Sequence, residues 1–131
     1  MECNGNYGFV INSEYLVLNE MRCIIRIISN KKLKFSGSTS VSFSKTAMKL
    51  LSYILEKSLR DDGAGIITRE EIIKNVLDNI YVYSSNQKFH YILHEIKEKL
   101  SIIGLPEDFV VSYRAKGVRI TNKSVIGLYI K

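Results

Sequence analysis

The chain has 131 residues, 46% of them hydrophobic and 24% charged, which suits one globular domain with its own core and excludes a disordered or low-complexity chain. Nineteen Lys and Arg against 13 Asp and Glu leave a net charge of +6, which suits a polyanionic partner without proving one. Cys3 and Cys23 make no disulfide framework and read as reduced thiols, the opening MECNGNYG is no signal peptide, and no run approaches the roughly 20 apolar residues of a membrane helix.

Residues 7–11 and 15–18 are rich in Val, Ile, Leu and Tyr, with the turn residues Asn12-Ser13-Glu14 between them. They read as two strands of a hairpin. Residues 23–28 are a third β-rich run, left through Ser29-Asn30-Lys31-Lys32, and Val41-Ser42-Phe43 a fourth after the turn at Ser36-Gly37-Ser38. The period then switches. Ser44 caps a helix whose stripe is Ala47, Leu50, Leu51, Ile54, Leu55 and Ser58, ending at Asp61-Asp62-Gly63-Ala64-Gly65; that spacing is the 3.6-residue repeat. A second helix opens at Thr68-Arg69-Glu70-Glu71, a capping box in which Thr68 and Glu71 serve each other's backbone N–H. Its stripe is Ile72, Ile73, Val76 and Leu77.

A third helix starts near Ser84-Ser85-Asn86-Gln87 and stops at Gly104-Leu105-Pro106. Phe89, Leu93, Ile96 and Leu100 fall within roughly a 60° arc of it and face the core. The opposite face shows Gln87, Tyr91, His94 and Glu98, with Lys88 and Glu95 beside it. Residues 109–113 and 118–120 then form a β-hairpin around Arg114-Ala115-Lys116-Gly117, a basic tip. The fold class is therefore α+β: an N-terminal antiparallel sheet, three helices and a C-terminal hairpin. Residues 1–120 form the domain and 121–131 a tail or the start of a linker. The charge is unevenly spread: net +4 over residues 1–50, −2 over 51–83, +2 over 84–120 and +2 over the last eleven.

Competing readings of single features are mostly bland. His90 and His94 have a zinc-ligand spacing but lack a third ligand, so no metal is expected, and no cofactor. Glu70 and Glu71 are first-turn acids that suit the helix dipole. Lys31-Lys32-Leu33-Lys34 reads as a solvated turn. With no phosphate-cradling glycine loop and no nucleophile–base pair, the chain is not expected to be an enzyme.

Three segments resemble the DNA-binding domain of bacterial OmpR-like and ToxR-like transcription regulators. They are Phe43-Ser44 leading into Leu50-Leu51, the run Ile66-Ile67-Thr68-Arg69-Glu70-Glu71-Ile72-Ile73, and the run from Phe109 to Ile120, FVVSYRAKGVRI. The resemblance implies a winged helix-turn-helix fold and a sequence-specific regulator of transcription. Its third helix would enter the major groove with Ser85, Gln87, Lys88, Tyr91 and His94, and its wing would set Arg114, Lys116 and Arg119 on phosphates or in the minor groove. Gln suits an adenine edge and Lys a guanine or a phosphate. The implied partners are double-stranded DNA, RNA polymerase at the loop 79–85, and a second copy of the chain on DNA. The implied location is cytoplasmic. As in ToxR-like proteins, that includes the cytoplasmic part of an inner-membrane regulator anchored by a following segment; a free-standing variant is the other option. This chain departs from the family at Glu95 and Glu98, where Arg or Lys is usual, at Leu77 for a tryptophan, at Ala115 for a glycine and at Val118 for an aromatic. The two acids favour an alternative, a winged-helix adaptor that binds protein.

Overall fold

The computed structural model describes residues 5–27, 40–60, 66–77, 85–113, 116–121 and 124–130. Strands β1 (Asn6–Ile11), β2 (Tyr15–Leu18), β3 (Cys23–Arg26) and β4 (Ser40–Ser42) precede helix α1 (Lys45–Arg60). Strand β5 (Ile67–Thr68) leads into α2 (Arg69–Ile72), which continues as a π-turn over Ile73–Leu77. Helix α3 (Ser85–Ile103) is followed by β6 (Val110–Tyr113), β7 (Gly117–Ile120) and β8 (Val125–Tyr129). The turns expected after residue 28, at 36–38 and at 61–65 lie outside the described residues, as does Ser84.

Two antiparallel sheets result, in the orders β4-β3-β2-β1-β8 and β5-β7-β6. Alternation on the first sheet puts Phe9, Ile11, Val17 and Ile24 on its inner face, all fully buried. Leu50, Leu51, Ile54 and Leu55 of α1 are fully buried in the same core, and Phe89, Leu93, Ile96 and Leu100 of α3 complete it. The facing expected for the third helix is the facing observed.

Within residues 121–131, expected as a tail or linker, the described stretch Val125–Tyr129 is a strand of the first sheet. Strand β8 pairs antiparallel with β1, from Asn6 opposite Tyr129 to Ile11 opposite Val125, and so completes the first sheet. Val125 is buried, and Asn12 N donates to Ser124 O at 2.8 Å. The unbroken apolar run Val125-Ile126-Gly127-Leu128-Tyr129 hides a strand partner more than 110 residues away in the chain, which no local pattern reveals.

Several caps are as the residue types demand. Ser44 Oγ accepts from Ala47 N at 3.2 Å, and Thr68 Oγ1 from Glu71 N at 3.1 Å. The reciprocal half of the Thr68–Glu71 capping box is replaced: the Glu71 carboxylate accepts from Tyr53 Oη at 2.5 Å and pairs with Lys57 Nζ at 2.9 Å, tying α2 to α1. The Tyr53 hydrogen bond, then Lys57, holds this carboxyl below its ordinary pKa. At the far end of α3, Gly104 N donates to Ser101 O and Leu105 N to Leu100 O, with Gly104 at φ 105°. That left-handed stop needs glycine. Arg26 braces it, reaching Ile103 O at 3.3 Å and Glu14 at 2.6 Å.

Candidate nucleic-acid interface

With one face of α3 committed to the core, the helix period leaves its other face to solvent. Gln87, Lys88, Tyr91, His94 and Glu98 are all exposed there, Tyr91 to 75%. His90 flanks the strip, also exposed, its ring edge-on to Phe89. Ser85 is the first residue of α3. The strip therefore offers an amide, an ammonium, a phenol and two imidazoles, all accessible. Its acid is Glu98, whose carboxylate lies 3.9 Å from His94 Nε2.

Glu95 is not part of this strip. Its two oxygens accept from Ser44 N and Ser44 Oγ, each at 3.0 Å, and Lys99 Nζ stands 3.7 Å away. The first turn of α1 carries no acid of its own. Glu95 supplies one from α3, which satisfies an orphan N–H and opposes the positive end of the helix. Of the two acids at which the sequence departs from the family it resembles, only Glu98 lies on the exposed strip of α3.

The hairpin stands beside α3. Lys97 Nζ donates to Ser112 Oγ at 2.8 Å, joining the helix to β6. Lys116 N donates to Tyr113 O at 2.8 Å to close the turn, while Arg69 N donates to Lys116 O at 2.9 Å. The start of α2 thus braces the wing. Gly117 is required at this junction, because a Cβ there would meet Ile67 O at 2.0 Å. Lys116 is exposed at the tip. Arg114 lies outside the described residues. Arg119 sits on the opposite face of the hairpin from Ser112, half-buried, with its guanidinium 5.9 Å from the Tyr113 ring. The helix strip and Lys116 are thus on elements that touch, whereas Arg119 is turned toward the other face.

A groove runs between the helix and the wing, lined by Arg69, Phe89, His90, Ser112, Tyr113 and Gly117. Sequence reasoning overlooked Arg69, which it treated only as part of a helix-start motif. Its place beside His90 depends on β5 pairing with β7, a contact across about 50 residues that periodicity cannot show. Leu77 ends the π-turn, and the loop 79–85 is outside the described residues except for Ser85.

No protein-family model matches the sequence, and no curated protein matches it. Among solved structures, the DNA-binding domain of E. coli CadC superposes with a TM-score of 0.58 at 16% sequence identity, covering 96% of this chain and 100% of that one. The chain shares the winged helix-turn-helix fold of that domain.

Proposed function

We propose that the chain is a sequence-specific DNA-binding regulator of transcription that lays α3 in the major groove and sets its β6–β7 hairpin on the backbone and adjacent minor groove. The observation that carries this reading is the exposed strip Gln87, Lys88, Tyr91 and His94, braced against a wing that ends in Lys116. The withdrawal of Glu95 to Ser44 removes one of the two acids that would oppose it. The shared fold with the DNA-binding domain of CadC supports the same reading.

Gln87 and Lys88, near the N-terminus of α3, are the base readers, and Tyr91 and His94 extend the contact along the groove. Ser85, Lys116 and Arg114 meet phosphates, and Arg119 steadies Tyr113. RNA polymerase at loop 79–85, a second copy on DNA and a cytoplasmic location, with or without a following membrane anchor, complete the reading. Among the described residues no helix is long and apolar enough to cross a membrane.

The exposed Glu98 favours a second reading, a winged-helix adaptor for a protein partner. Titrating random duplex DNA across a salt series separates the two. A DNA binder loses affinity linearly in log salt, with a slope set by the phosphates it contacts. An adaptor gives no measurable binding and no slope.

A further inference from the structure

Helix α3 has two flanks beside its exposed strip, and the wing occupies one of them. Lys97 and Lys99 stand two residues apart, about 200° around the helix, and so leave it on opposite sides. Lys97 reaches the wing at Ser112. Lys99 reaches Ser42 O, and Glu95 reaches Ser44, both at the junction of β4 with α1. That junction continues into a cationic patch. Phe43 N donates to Arg22 O at 2.8 Å, which holds the β2–β3 turn against the start of α1. Between turn and helix lies an open hollow of about 630 Å³ whose lining includes Arg22, Lys45 and Lys49 with Asn19, Met48 and Glu20. The three cations are exposed, and among the described residues none of them forms an ion pair. Against them stands one lining acid, Glu20. The turn is pinned: Arg22 N donates to Asn19 O at 3.1 Å, and the Asn19 side chain bonds Asn6 at 2.8 Å and Ser52 at 3.0 Å. Arg22 itself is held at φ 53°, a left-handed conformation that an arginine adopts only at a cost.

We infer that Arg22, Lys45 and Lys49 form a second phosphate-binding wall, which holds the DNA strand across the major groove from the strand held by the wing. The inference rests on the DNA-binding reading. A major groove is about 12 Å wide and an α-helix with its side chains fills it, so a helix lying there has a sugar–phosphate backbone on each side. The wing, on the Lys97 side, meets one backbone. The Lys99 side faces the other, and there the chain presents three cations to phosphates without reading bases. Side chains are the receptor, because Ser44 N and Ala47 N at the start of α1 are already met by Glu95 and Ser44 Oγ. Glu95, the acid nearest this flank of α3, is turned to Ser44 and leaves the cations unopposed except by Glu20. An open hollow edged by exposed cations suits a backbone running past it better than a trapped phosphate ion.

Phosphate-ethylation interference on a selected operator tests this, with the whole chain as wild type and as two variants. Wild type should show interference on both strands that flank the occupied groove. Lys45→Ala with Lys49→Ala should lose it on one strand, and Lys116→Ala on the other. In a salt series on random duplex, the Lys45/Lys49 double variant should bind severalfold more weakly and lower the magnitude of the salt slope by about two, at roughly 0.9 per phosphate. Arg22→Asn removes the charge and keeps a residue that tolerates left-handed backbone; it should lower the slope by about one. Glu20→Gln should tighten random-duplex binding. A double variant with the wild-type slope and the wild-type interference pattern overturns the proposal and leaves the DNA-binding reading standing. Loss of interference at the same phosphates as Lys116→Ala also overturns it, since patch and wing would then share one strand. So do Lys45 and Lys49 resonances that shift with inorganic phosphate and not with duplex, which would make this a site for a free ion. Wild type with no salt-dependent binding of any duplex overturns the DNA-binding reading itself, and this proposal with it.

Discussion

Glu95 offers a decisive perturbation, because its sequence position and its structural position predict opposite results. Its carboxylate accepts two hydrogen bonds from Ser44 at 3.0 Å each, and its side chain is only 22% exposed. Glu95→Gln keeps an acceptor but removes the charge facing the N-terminus of α1, which costs about 0.5–1 kcal/mol. Glu95→Ala also leaves Ser44 N without its partner, and a lost cap of this kind costs about 1–2 kcal/mol. In a domain of this size, that is a fall of roughly 4–8 °C in melting temperature for the alanine variant. A double-mutant cycle with Ser44→Ala should give a coupling of about 0.5–2 kcal/mol, since the partners are in direct contact. The assays are thermal melts followed by circular dichroism, with random-duplex affinity measured in parallel. Affinity should not change beyond what partial unfolding explains. A Glu95→Gln variant that melts like wild type and binds random DNA more tightly would refute the reasoning, by placing the carboxylate at the phosphates.

Glu98→Gln is the counterpart, and should tighten nonspecific duplex binding severalfold, because this acid stays on the outer strip; weakening at one base pair alone would make it a reader of cytosine. Leu93→Ala should cost about 2–5 kcal/mol in denaturant unfolding, because the side chain is buried in the core, and a loss no larger than that of an exposed-site control would contradict the facing of α3. Glu71 contributes stability through its lowered pKa. That contribution is whole above the unfolded-state value near 4.5 and is lost as pH falls through the lower folded-state value. The melting-temperature gap between wild type and Glu71→Gln should therefore close on acidification below that value, and a gap independent of pH would remove the ionic role.

Local periodicity made much of this molecule legible. The spacing of Phe89, Leu93, Ile96 and Leu100 set which side of α3 is solvent, and Gly104-Leu105-Pro106 set where it ends. Ser44 and Thr68 capped the helices they precede. What stayed hidden is nonlocal. Strand β8 looks like an apolar tail until β1 is placed beside it. Glu95 looks like a groove-facing acid until Ser44, 51 residues earlier, is brought to it. The Glu71 side chain had a plausible partner one turn away, and the fold supplied better ones in Tyr53 and Lys57. The wing cations were legible as a group, yet strand alternation separates Arg119 from Lys116.

The central claim is that α3 reads bases while the wing positions the backbone, and one comparison of two variants tests it most directly. Lys116→Ala and Gln87→Ala are titrated, beside wild type, against a selected operator and a scrambled duplex at several salt concentrations. Lys116→Ala should weaken both duplexes about equally and lower the magnitude of the salt slope by about one. Gln87→Ala should lose roughly 1–3 kcal/mol on the operator and little on the scrambled duplex, with the slope unchanged. If Gln87→Ala weakens both duplexes alike while Lys116→Ala alters neither affinity nor slope, α3 does not read bases and the wing does not position the backbone.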